Sequence, residues 1–281
     1  MNNGTCLCGS VTWELATEPH DAYNCYCSMC QKIHGSAFGT YAFVRPDQFK
    51  WTSGTDTIIQ YKSSPGLTRS SCHKCGSVVP FPSKAHDGWA IPAGCHDHGR
   101  KPDCSIFAAG CAPWYEVTDN VPRHDAYPGG MDRPTVDDKP LDEQPDGVIR
   151  GSCHCEAIAF HVTEPFKVAH NCHCSRCRRA RAAAHASNGF VSMDGVEFLR
   201  GEGYLKTYKV PDAKFFTQVF CKVCSSAMPR VDPERGIAVI PLGSLDDDPV
   251  VKPVDHIFVS SKADWHEITD DLPTYKDGPP R

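Results

Sequence analysis

At 281 residues the chain is longer than an average domain, and two units of about 130 residues each are the natural expectation. Its 23 prolines and 22 glycines favour turns and short strands over long helices, so a mainly β protein is expected. A net charge of −5 argues against a nucleic-acid partner, which is held by clustered Lys and Arg, and no stretch approaches the ~20 apolar residues of a membrane span.

The chain opens Met1-Asn2-Asn3-Gly4-Thr5-Cys6, without the basic and apolar regions of a signal peptide, so a cytoplasmic location is expected. In a reducing compartment its 17 cysteines read as metal ligands before they read as disulfides. Cys6 and Cys8 form a C-x-C, followed by an alternating strand from Val11 to Leu15. Cys25, Cys27 and Cys30 then form a C-x-C-x-x-C, within which a short helix can begin at Ser28, a favoured N-cap residue. Strands are expected over residues 37–44 and 57–61, and a C-x-x-C follows at Cys72 and Cys75. Cys95, Cys104 and Cys111 read as small buried apolar residues, although Cys95-His96-Asp97-His98 has the look of a ligand run.

A Pro-, Gly- and Asp-rich stretch from Tyr127 to Gly147 reads as a linker, which divides the chain into units 1–127 and 148–281 around residues 128–147. Beyond it the first unit is repeated. At an offset of 147, Cys153 and Cys155 match Cys6 and Cys8, Cys172, Cys174 and Cys177 match Cys25, Cys27 and Cys30, and Tyr208 matches Tyr61. The offset becomes 149 at Cys221 and Cys224, which implies two extra residues near Pro211, and 151 at Trp265 against Trp114. Strands are expected over 157–162, 216–220 and 237–240, with a second short helix from Ser175. Arg176, Arg178, Arg179 and Arg181 crowd the second thiolate run, either to offset metal-thiolate charge or to grip a carboxylate, or as a solvated basic turn.

The fourteen repeated cysteines fall into two chemical classes. A C-x-C and a distant C-x-x-C make a closed four-thiolate zinc site: Cys6, Cys8, Cys72 and Cys75 in one half, Cys153, Cys155, Cys221 and Cys224 in the other. Gly9 and Gly76 follow these pairs where a knuckle needs positive φ; Glu156 and Ser225 replace them, so a different knuckle or a weaker site is expected there. Cys25, Cys27 and Cys30, like Cys172, Cys174 and Cys177, offer three thiolates, the count of a catalytic zinc with one exchangeable position. A thiol bound there is deprotonated and can add to a carbonyl. The competing arrangement is a closed site completed by His34 or His73 in the first half and by His173 or His185 in the second.

The C-x-C, the C-x-C-S-x-C followed by Gln-Lys or Arg-Arg, the C-x-x-C, and the stretch Ile-Phe-Val-Ser-Ser-Lys-Ala-Asp-Trp-His-Glu-Ile-Thr-Asp-Asp-Leu-Pro at residues 257–273 resemble the glutathione-dependent formaldehyde-activating enzyme family, whose relatives include centromere protein V. The resemblance covers both halves. It implies two β-rich, Mss4-like zinc-binding domains in tandem, a structural zinc on each four-cysteine set, and a second zinc on each three-cysteine run. It also implies a carbon–sulfur lyase that joins glutathione to a small aldehyde, as in forming S-hydroxymethylglutathione, with Cys25, Cys27 and Cys30 and Cys172, Cys174 and Cys177 as catalytic ligands. Departures are local: Tyr26 stands against His173, Gly35-Ser36-Ala37-Phe38-Gly39-Thr40-Tyr41 against Ala182-Ala183-Ala184-His185-Ala186-Ser187-Asn188, and Ser105 against His256. The first half is therefore expected to be the more active. A non-catalytic zinc module for protein interaction, and zinc storage or redox sensing, are the other functions this cysteine content allows.

Overall fold

A computed structural model of the chain describes residues 2–96, 99–128 and 147–279. The protein is mainly β, as its turn-rich composition requires, and its strands lie within two or three residues of the expected ones. The central sheet of the first half is built on Asp21–Cys25, which pairs antiparallel with Gly39–Val44; that strand pairs in turn with Gly88–Pro92. On its other edge Asp21–Cys25 runs parallel to Cys104–Ile106. The second half repeats the plan with Val168–Cys172, Ala186–Ser192, Ile237–Pro241 and a parallel His256–Ile257. Even the register is kept: Asn24 faces Thr40 and Asn171 faces Ser187, and in each pair the hydroxyl donates to the amide oxygen at 2.7 Å.

Two short helices follow the central strands, α1 over Ser28–His34 and α2 over Ser175–Arg181. They begin where expected, but the cap is a cysteine, not a serine: Cys27 and Cys174 take the extended N-cap conformation, and the Cys174 sulfur accepts the Cys177 amide at 3.3 Å. A thiolate at a helix N-terminus meets unpaired N–H groups, which favours its negative charge.

The halves pack through these helices. A Cβ on Gly94 would stand 2.1 Å from the Ala183 nitrogen, and one on Gly243 would stand 2.3 Å from the Gln31 oxygen, so each helix is approached by a glycine turn of the other half. Tyr26, Phe38, Ala93 and Trp114 share one buried cluster with Ala169, Ala184, Leu242 and Trp265. Lys32 reaches Asp246 at 2.5 Å and Ser152 Oγ at 2.9 Å across the same boundary. Of the expected linker, residues 129–146 lie outside the described residues, as do Asp97 and His98. Cys95 is buried and donates to the carbonyls of Val78 and Arg179, while His96 stacks on Trp13.

The knuckles are alike in both halves. Gly9 and Gly76 have φ of 75°, and Glu156 and Ser225 have φ of 61°, so the second half keeps the same left-handed turn with a Cβ in it. The two glycines differ in surroundings: a Cβ on Gly9 meets nothing, whereas one on Gly76 would lie 2.5 Å from the Phe220 ring. Gly9→Ala is expected to cost about 1 kcal/mol in urea unfolding, and Gly76→Ala roughly 2–4 kcal/mol because overpacking adds to the strain. Equal midpoints for the two variants would contradict this.

Candidate functional site

The four sulfurs of Cys6, Cys8, Cys72 and Cys75 lie within 4.8 Å of one another, as do those of Cys153, Cys155, Cys221 and Cys224. Neighbouring sulfurs stand 3.5 and 3.7 Å apart in the first set and 3.4 and 3.7 Å in the second. That is too far for a disulfide and close to the edge of about 3.8 Å that a tetrahedron with ~2.3 Å zinc–sulfur bonds has. Backbone amides of Val11 and Ile158 point at Cys6 and Cys153 at 3.4 and 3.3 Å, the contacts that thiolates accept. Hydrogen bonds among the sulfurs pull Cys8 and Cys224 far below an ordinary thiol and push Cys6 and Cys153 far above it. Four buried sulfurs share negative charge poorly without a cation between them. The donor set fits zinc.

Each three-cysteine run forms its own group, Cys25, Cys27 and Cys30 in one half and Cys172, Cys174 and Cys177 in the other. The strand end supplies the first sulfur, the helix cap the second and the first helical turn the third. No histidine nitrogen joins either group among the described residues. His34 is spoken for at both ring nitrogens, Nδ1 on the Arg181 carbonyl and Nε2 on the Tyr41 hydroxyl, each at 2.6 Å. His73 faces the Thr57 carbonyl, His185 the Ser187 hydroxyl and His173 the ring of His256. Each group thus presents three sulfurs and, among the described residues, no fourth side-chain ligand.

One sulfur in each group is held below the others. The Cys25 and Cys27 thiols, hydrogen-bonded to it, hold Cys30 well below an ordinary thiol, and the Arg69 guanidinium adds to the effect. In the second half Cys172 and Cys177 do the same for Cys174, which falls to about 3. Arg69 was not singled out by the sequence. It is buried, its Nη2 donates to Cys30 Sγ at 3.3 Å, and its Nη1 donates to the Tyr41 hydroxyl. A relay follows: the Arg181 carbonyl accepts His34 Nδ1–H, His34 Nε2 accepts the Tyr41 hydroxyl, and Tyr41 and Cys30 are bridged by Arg69. The first-half site is therefore braced from α2 of the second half.

The second half places its cation differently. Gln218 occupies the position of Arg69, and Arg181 occupies that of His34. Burial pulls the Arg181 guanidinium down to about 10 against the attraction of Cys177, and its Nη1 has no partner. The basic run splits accordingly: Arg178 and Arg181 are buried, while Arg176 is exposed over the Phe216 ring.

Comparison with known proteins identifies the family. A Halomonas elongata protein, provisionally named a glutathione-dependent formaldehyde-activating enzyme, is 30% identical over 128 residues, covering 43% of this chain and 81% of that protein. A crystal structure of a Rhodobacter sphaeroides protein covers 37% of this chain and 97% of its own, at 23% identity and a TM-score of 0.30. The profile of the glutathione-dependent formaldehyde-activating enzymes matches residues 1–110 and again 148–261, the two stretches that hold all four cysteine groups, and the chain belongs to that family.

Proposed function

We propose that the protein is a zinc-dependent carbon–sulfur lyase that joins a thiol, glutathione or one like it, to a small aldehyde and reverses that addition. The observation that carries this reading is the pair of three-sulfur groups that lack a fourth side-chain ligand among the described residues, each beside a buried guanidinium. Cys25, Cys27 and Cys30, and Cys172, Cys174 and Cys177, would hold the catalytic ions; Cys6, Cys8, Cys72 and Cys75, and Cys153, Cys155, Cys221 and Cys224, would hold structural ones. A zinc ion there supplies a low thiol pKa and a template for the incoming sulfur. The chain's own part is electrostatic: Arg69 offsets the negative charge that grows as a fourth sulfur arrives, and Tyr41 and His34 fix its guanidinium. In the addition the sulfur–carbon bond forms, the carbonyl π bond breaks, and the thiol proton ends on the oxygen.

The family and the free state of all 17 cysteines support a thiol substrate and a reducing, cytoplasmic setting. No helix among the described residues is long and apolar enough to cross a membrane. The test is to follow hemithioacetal formation from glutathione and other thiols with a panel of aldehydes, beside elemental analysis of the purified chain. Acceleration with four zinc ions per chain is expected. No acceleration with any pair would leave a zinc module without this chemistry.

A further inference from the structure

The apolar surroundings of the two three-sulfur groups are alike. Phe216, Phe258 and Tyr275 pack on the cluster that holds Cys172, Cys174 and Cys177, and in the first half Phe107, the counterpart of Phe258, meets the Tyr127 ring at 5.0 Å. The charges are not alike. Arg176 lies 5.9 Å from the centre of the Phe216 ring, and Lys214 and Arg235 lie 5.0 and 5.1 Å from that of Phe215. Arg230 donates through Nη1 to the Phe215 carbonyl, so cations gather on these two phenylalanines, one of which covers the sulfurs. At the matching positions the first half carries Met29, Pro65, His86 and Phe81. Its own cation, Arg69, is committed to Cys30 and Tyr41.

Little acid answers this charge. Asp232 stands 3.5 Å from Arg230 and 3.9 Å from Arg235, while Asp212 and Glu234 on the same segments are exposed. Behind Arg230 is Arg181, which is buried, leaves its Nη1 without a partner and reaches only Asn188, at 3.5 Å. Burial pulls both guanidiniums below an ordinary arginine, Cys177 attracts both, and Arg230 repels Arg181. The three therefore share one electrostatic neighbourhood. Like charges taken out of water together are relieved by an anion, and a guanidinium fork matches a carboxylate.

The addition has two partners, a thiol and an aldehyde. Both halves present the same three sulfurs to the thiol, so what differs between them is fitted to the aldehyde. On the lyase reading above, we infer that the second three-cysteine group takes an aldehyde bearing a carboxylate next to its carbonyl, and the first a neutral one. Arg230 is the donor to that carboxylate, Arg181 supplies buried positive charge behind it, and Arg176, Lys214 and Arg235 draw the anion in. The carboxylate itself does not react: the sulfur–carbon bond forms, the carbonyl π bond breaks, and the thiol proton ends on the carbonyl oxygen.

The experiment uses full chains with one working site each, Cys27→Ala for the second and Cys174→Ala for the first. Each is given glutathione with glyoxylate, or with glycolaldehyde, which has a neutral hydroxymethyl in place of the carboxylate. The glyoxylate-to-glycolaldehyde ratio of kcat/KM is expected to be at least about tenfold higher at the second site. Arg230→Phe, which installs the first half's residue, should lower that ratio roughly 10- to 100-fold, as loss of a hydrogen bond to a charged group does, and Arg230→Lys should keep part of it. A ratio is indifferent to the fraction of chain that folds. Equal ratios at the two sites, or a second-site ratio untouched by Arg230→Phe, would overturn the inference and leave the lyase reading standing. Acceleration of neither aldehyde at either site would overturn both.

Discussion

Cys72→Ser is expected to unfold the first half, not merely to silence it. Cys72 is fully buried and joins the C-x-x-C turn to the C-x-C turn 64 residues earlier through sulfurs 3.7 Å apart. A structural zinc contributes on the order of 10 kcal/mol, as much as the whole stability of an ordinary domain, and a serine hydroxyl does not replace a thiolate ligand. The damage should spread. Tyr208 of the second half packs on this cluster, Tyr61 of the first packs on the other, and the Phe220 ring seals Gly76. Thermal unfolding followed by circular dichroism should lose its cooperative transition in Cys72→Ser and in Cys221→Ser, and chelation should do the same to the parent protein. Cys95→Ser is the control: it keeps a donor for the Val78 and Arg179 carbonyls and should cost only about 1 kcal/mol. A Cys72→Ser chain that melts like the parent would remove the four-sulfur clusters from the account of stability.

What could be read in the sequence, and what could not, divides by distance along the chain. The C-x-C, C-x-C-x-x-C and C-x-x-C groups were legible because metal ligation is dictated by short local spacing, and the repeat told which groups belong together. The left-handed knuckles at Glu156 and Ser225 were not legible: a Cβ at positive φ argued for a different turn, yet the second half keeps the turn of Gly9 and Gly76. Helix starts were nearly right; Cys27 and Cys174 hold the N-cap positions because they belong to the clustered sulfurs, and the Cys174 sulfur also accepts a free amide, a preference no propensity scale contains. Arg69 was invisible. It sits three residues before Cys72 on a strand whose pairing brings it under Cys30, and nothing in the spacing of residues 30 and 69 announces that contact. Reading Arg176 to Arg181 as one cluster also failed to separate Arg181, on the inward face of α2, from Arg176, on the outward one.

Arg69→Gln is expected to lower first-half turnover roughly 10²- to 10³-fold, measured in a Cys174→Ala background that silences the second site. Removing one partner of a buried charge pair costs about 3–5 kcal/mol, since the group left behind has neither solvent nor a counter-charge. Here that group is the Cys30 thiolate, which Arg69 touches at 3.3 Å. Zinc affinity of the three-cysteine group should fall alongside the rate, a readout that loss of packing alone does not move. Arg69→Lys should do little better, because one ammonium does not span Tyr41 and Cys30 as the guanidinium fork does. The second half states what a repair would need: with Gln218 in this position it brings its guanidinium from Arg181, beside Asn188. Adding His34→Arg and Tyr41→Asn to Arg69→Gln copies that arrangement and should recover part of the rate, because the field at the thiolates depends on a buried cation being present, not on which strand or helix carries it. A triple variant no better than Arg69→Gln alone would show that the bridge through Tyr41, rather than the charge, is what the first site requires.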